Sequence, residues 1–188
     1  LKHQLPDTIY NLWVKLRCHQ ESRADRGAEN TQIIDGNLIQ RWVFNDLIEE
    51  YGVDLVMQGH EHAYGRMTRH DDNDKATTPV YTVSHCSPKN YRIQFDDEFD
   101  KFGISSRYYQ PVDIKGDTLV MATYESYHHS LYDSLRIVKK GDSVNILDFG
   151  RDIPEYMEYT PDPSSKKDRA YAERIEAYKA KHPERMRK

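Results

Sequence analysis

The sequence predicts an α/β fold of mixed α+β type, and three features carry the prediction. A segment of helical period runs across one glycine into a short apolar strand. Two later segments of alternating residues flank Lys-Gly-Asp turns. A last charged segment carries one narrow apolar stripe.

The first feature lies in the middle of the chain. Leu38, Ile39, Trp42, Val43, Leu47 and Ile48 recur at helical spacing, so residues 37–51 are expected to form an amphipathic helix. Asp35 or Asn37 can cap its start by accepting from early backbone N–H groups, and Gly52 suits a left-handed C-cap. Val53-Asp54-Leu55-Val56-Met57 follows at once and is too short for a helix, so it reads as a buried strand. Helix, tight turn and buried strand is the rhythm of a sheet with helices against it. Pro79-Val80-Tyr81-Thr82-Val83-Ser84 is expected to form a second strand, after a polar loop from Asp71 to Thr78. Residues 94–107 are charged and irregular, with either a short helix or a lid as the expectation.

The second feature gives two hairpins. Tyr108 to Ile114 and Thr118 to Tyr124 flank Lys115-Gly116-Asp117. Ser134 to Lys139 and Ser143 to Phe149 flank Lys140-Gly141-Asp142. Glycine supplies the positive φ that such turns need. The third feature is a proline-rich stretch over 154–163 and then a helix capped by Ser164 or Ser165, with Tyr171, Ile175 and Tyr178 as its stripe. The expected organisation is therefore a domain over 1–150, its first 34 residues hard to read, and a linker with a peripheral helical tail over 151–188.

Composition narrows the function. The net charge of −4 and a pI near 6.1 give no long basic face for a phosphate backbone, so no nucleic-acid partner is expected. No run of about 18 apolar residues is present, so no membrane span is expected. The chain begins with Leu rather than Met and is expected to start inside a longer gene product. Cys18 and Cys86 permit one disulfide without arguing for it, and buried free thiols are the simpler expectation.

The chemistry centres on Gly59-His60-Glu61-His62, directly after the buried strand. In open α/β sheets ligands gather at the carboxyl ends of strands. Neutral imidazole is a good ligand for zinc, iron and manganese. Two histidines at i and i+2 in a turn can aim at two neighbouring metals, and Gly59 would let the backbone turn where a side chain would crowd them. A solvated loop pair is the competing reading of the same spacing. Glu61 faces solvent or supports the ligands. His70 reads as solvated, and His128 and His129 read as surface or packing residues.

The string Val53 to Arg66, with Gly59-His60-Glu61-His62-Ala63-Tyr64-Gly65-Arg66 at its end, resembles the last metal-binding motif of calcineurin-like metallophosphoesterases. It is closest to the purple acid phosphatase-like branch, where G-H-x-H-A-Y-x-R is typical. The likeness runs from about Asp35 to about Gly150. It implies the C-terminal portion of an αββα sandwich and metal-dependent hydrolysis of phosphate mono- or diesters by metal-activated hydroxide. Two iron, zinc or manganese ions would serve a small phosphorylated substrate. His60 would bind one metal and His62 the other. His85, which ends the second strand, could reach a substrate phosphate or serve a structural hydrogen bond. Arg66 could contact phosphate or anchor the loop through a carboxylate, while Tyr64 packs beneath it. An earlier histidine normally joins His60, and His19 is the candidate. The family there has His followed closely by Pro and Tyr, whereas this sequence reads Cys18-His19-Gln20-Glu21-Ser22, and proline spacing would select Cys18 instead. The family's earlier motifs, with their bridging Asp, Asn and catalytic His, do not occur. The resemblance thus implies that this chain supplies part of a site, that the missing N-terminal part of the same protein supplies the rest, and that the isolated chain is inactive. A secreted or periplasmic setting follows from the resemblance alone. The alternative is an inactive remnant of the fold that serves as a metal-binding or assembly module.

Overall fold

Residues 47, 48, 50–59, 62–84, 86–141 and 143–186 are described by the structure, a computed structural model. The chain divides into two units, Leu1–Tyr51 and Gly52–Lys188. Of the first, residues 47, 48 and 50 are helical, and the Tyr51 N–H donates to Leu47 O at 3.0 Å. The rest of the expected helix over 37–51 lies outside the described residues. Gly52 has φ +58°, as the expected C-cap requires.

The second unit is mixed α+β, with two sheets and one C-terminal helix. The first sheet has the order β1-β3-β2-β4, built from β1 (Leu55–Gln58), β2 (Tyr64–His70), β3 (Ala76–Val83) and β4 (Lys101–Gly103). β1 runs parallel to β3, Leu55 opposite Val80 and Gln58 opposite Val83, while β2 is antiparallel to both β3 and β4. The second sheet is antiparallel throughout. Its strands are β5 (Tyr108–Tyr109), β6 (Val112–Lys115), β7 (Thr118–Glu125), β8 (Ser130–Lys140) and β9 (Ser143–Asp148). Both expected hairpins are present, with Gly116 at φ +56° and Gly141 at φ +57°. The first is interrupted, because Gln110-Pro111 separates β5 from β6 and both pair with β7.

Two expectations need correction, and one strand was not foreseen. The loop expected from Asp71 to Thr78 is shorter, because β3 already begins at Ala76. The stretch 94–107 contains no helix; its regular part is β4. β2 was not foreseen as a strand, because its buried side reads Tyr64, Arg66, Thr68 rather than a row of aliphatic residues.

The sheets share one apolar core. Val80 of β3 packs with Met121 of β7 and with Leu135 and Ile137 of β8, flanked by Leu55, Leu119, Val144 and Ile146. Asp133 lies in the same period-two row as Leu135 and Ile137 and is fully buried. A bulge skips Tyr132 between Leu131 and Asp133, which lets Tyr132 and Asp133 both be buried despite being adjacent. Glu125, at the end of β7, accepts from Ser106 Oγ, from the Tyr127 and His128 N–H groups and from the His128 ring.

Helix α1 (Lys166–Lys181) starts at Ser165, whose hydroxyl accepts from the Asp168 N–H at 3.2 Å. Tyr171, Ile175 and Tyr178 are buried as the stripe predicts. Their partners are the irregular segment before β4 and β4 itself: Phe95 stacks on Tyr178 at 4.5 Å between centroids, and Phe102 of β4 meets Tyr178 edge-on at 5.6 Å. Buried Glu155 joins the tail to β4 by accepting from the Phe102 N–H at 2.9 Å and from the Tyr178 hydroxyl at 2.9 Å. The tail is therefore built into the second unit rather than laid loosely upon it.

Asp133 accepts from Nε of the buried Arg66 at 2.7 Å, so its removal would leave a buried cation short of its main partner. Asp133→Ala is expected to cost about 3–5 kcal/mol, read as a fall in the urea midpoint with an unchanged slope. A second expectation concerns pH. Burial pushes the Glu125 carboxyl up, but the hydrogen bonds from Ser106, Tyr127 and His128 outweigh it and hold the group at about 2, below its ordinary 4.5. A depressed carboxylate stabilises the fold above its unfolded value and loses that contribution as pH falls through the folded one. The stability advantage of wild type over Glu125→Gln should be constant from neutral pH to about 5. It should then shrink between 4.5 and about 2, which denaturation series at stepped pH would measure.

Candidate functional site

Because β1 and β3 are parallel, their carboxyl ends share one edge of the sheet. Gly59 follows β1 at that edge, and Ser84 follows β3 there. The Ser84 N–H donates to Gln58 O at 3.1 Å, which ties the two exits together.

His62 is the imidazole at this edge that the described residues include. Its Nδ1 lies 2.8 Å from Lys89 O. A carbonyl can only accept, so Nδ1 is the donor, which in the neutral ring leaves the lone pair on Nε2. The His62 carbonyl in turn accepts from the Tyr91 N–H at 3.2 Å. The Tyr91 ring stacks on the imidazole with centroids 4.4 Å apart and planes 28° apart. Lys89 Nζ donates to the Tyr91 hydroxyl at 3.2 Å and stands 4.7 Å from the ring centroid. Three contacts from one short segment thus fix the ring in place.

His60, Glu61, His85, His19 and Cys18 lie outside the described residues. Among the described residues, no group of three or more His, Cys, Asp or Glu side chains could hold a metal ion. Cys86 is exposed, so the expectation of a buried thiol is wrong there. His70, His128 and His129 are at the surface, as expected.

Arg66 and Tyr64 hold the base of the loop. Arg66 is 1% exposed. Its Nε donates to Asp133 at 2.7 Å, one terminal nitrogen to Asp148 at 2.8 Å, and the other to Asp100 at 3.2 Å and to Thr68 Oγ1 at 3.0 Å. Burial opposes the charged guanidinium, but Asp133, Asp148 and Asp100 outweigh it and hold the proton more tightly than usual. Of the two roles expected for Arg66, substrate contact and carboxylate anchor, this geometry is the anchor. The buried Tyr64 hydroxyl donates to the same Asp133 at 2.7 Å and accepts from Thr123 at 3.2 Å. Burial first, and then the neighbouring Asp133 charge, raise its pKa well above the ordinary phenol value. β2 therefore begins on a rigid polar base, from which the chain loops back to His62.

Two residues at the edge escaped sequence reasoning. Lys89 acts through its carbonyl, which any residue would supply. Tyr91 is one of fourteen tyrosines, and nothing local marks it. Asp133 did carry a signal: an acid in phase with two aliphatic core positions demands a buried cation.

Comparison with protein-family models, with curated proteins and with solved structures yields no match.

Gly59 bears on how the loop is built. A Cβ there would meet nothing within 4 Å, and its backbone is not left-handed. The protein atoms around position 59 therefore leave room for a side chain. Gly59→Ala should leave stability within about 0.5 kcal/mol of wild type. A thermal melt measures this, and a larger loss would reveal a constraint that the backbone does not explain.

Proposed function

We propose that this chain supplies histidine ligands to a two-metal centre that hydrolyses phosphate esters. His60 and His62 would each hold a metal, and His19 would join His60. The observation that carries the reading is the Nδ1 bond of His62 to Lys89 O at the carboxyl edge of the parallel β1–β3 pair. Ligating imidazoles commonly donate their second ring nitrogen to a carbonyl or carboxylate, which fixes the tautomer and raises the basicity of the ligating nitrogen. His62 therefore suits the proposed ions. The resemblance of Gly59 to Arg66 to the metallophosphoesterase motif supports the same reading and would make the two sheets the C-terminal part of an αββα sandwich.

Bound metals of this kind supply Lewis acidity toward phosphoryl oxygens and a nucleophile at neutral pH. The chain's own contribution is mechanical. His62 offers a ring of fixed tautomer, and Arg66 with Asp133 keeps the strand beneath the loop from shifting. A small phosphorylated substrate, iron, zinc or manganese as the metal, and a site completed by further residues of the same protein belong to this proposal.

Metal analysis of the purified chain, together with turnover of a chromogenic phosphate ester, tests it. His62→Ala should lower metal content at one site. In a protein with the complete ligand set, the same substitution should lower activity with it. An unchanged metal content and unchanged turnover in His62→Ala would remove the reading and leave a non-catalytic module.

A further inference from the structure

We propose that Tyr91 is a positioning residue for His62. Its ring would hold the imidazole in the Nδ1–H tautomer, with the lone pair on Nε2. The inference rests on the metal-ligand reading of His62 for its purpose, but its geometry stands apart from that reading.

A carbonyl alone is a weak guide for a histidine ring. Rotation about the Cβ–Cγ bond swings Nδ1 away from Lys89 O at little cost, and the proton can then reside on either nitrogen. Stacking removes that freedom. With the Tyr91 ring 4.4 Å from the imidazole and inclined by 28°, rotation about that bond would drive the imidazole edge into the phenol face. The stack is itself held at both ends. The Tyr91 N–H is bonded to the His62 carbonyl, so the two backbones keep their spacing. The Lys89 ammonium lies over the phenol ring and donates to its hydroxyl, so the ring keeps its tilt. Lys89 thus serves the arrangement twice, with its carbonyl on the imidazole and its ammonium on the ring that steadies it. These partners come from residues 89–91, which follow β3 at the edge that β1 also reaches.

The test uses the 188-residue chain with histidine ring nitrogens labelled. Long-range proton–nitrogen spectra identify each ring's tautomer at a pH where the rings are neutral, and His62→Ala assigns the His62 signals. Wild type should show His62 as the Nδ1–H tautomer. Tyr91→Phe keeps the stack and the cation above it, and should look the same. Tyr91→Ala and Tyr91→Leu should show averaging between tautomers. Zinc alone serves as the metal probe: its affinity should fall about tenfold in Tyr91→Ala and Tyr91→Leu and stay near wild type in Tyr91→Phe. The Leu variant keeps side-chain bulk, so a change shared with Ala reports the lost ring rather than a lost fold. A wild-type His62 without the Nδ1–H tautomer, or one that persists unchanged in both Tyr91→Ala and Tyr91→Leu, would overturn the proposal. If the tautomer behaves as expected while wild type takes up no zinc, the positioning role stands and the metal reading alone falls.

Discussion

The buried ion pair between Arg66 and Asp133 is the contact on which the second unit depends. Arg66 rises from β2 in one sheet and Asp133 from β8 in the other, so their bond crosses the core. Neither group can turn to water, since their exposures are 1% and 0%. Pairs of this kind gain little net stability over apolar neighbours, but losing one partner is costly because the other remains buried and charged. The pair therefore acts as a register pin. Sliding either strand by one residue would send one of the charges to the opposite face of its sheet.

The same pin organises the neighbourhood of the candidate site. Tyr64 binds Asp133 from the residue after Ala63, and Thr123 donates in turn to Tyr64. Asp148 and Asp100 share the guanidinium from the rims of the two sheets. The loop that carries His62 thus springs from a strand whose first buried residues are already fixed. Its other end is gripped by the segment after β3. A ring placed between a rigid strand and a three-contact clamp can hold its orientation without ordering on each binding event.

What could be read from the sequence follows the range of the interaction. Gly116, Gly141 and Ser165 were legible because each is decided by its own backbone angle or by a neighbour three residues away. The stripe of Tyr171, Ile175 and Tyr178 was legible because helical period is local. β2 was not, since its buried face is polar and gains its meaning only from Asp133, sixty-seven positions on. The clamp on His62 was hidden for the same reason, its carbonyl partner lying twenty-seven positions away. Cys86 was misjudged because a thiol's burial depends on where the chain leaves β3, and that exit runs along the surface.

Gly150 shows how far the pin reaches along the chain. A Cβ at this position would stand 1.6 Å from the Asp133 carboxylate, so the space that a methyl group would fill is already taken by an oxygen. Positions 133 and 150 therefore cannot drift independently. A lineage that gained any side chain at 150 would have to give up the acid at 133 beforehand, and Arg66 would have to be neutralised before that. The permitted order of substitutions among these three sites is set by sterics and charge together, which makes the glycine the last of them free to vary.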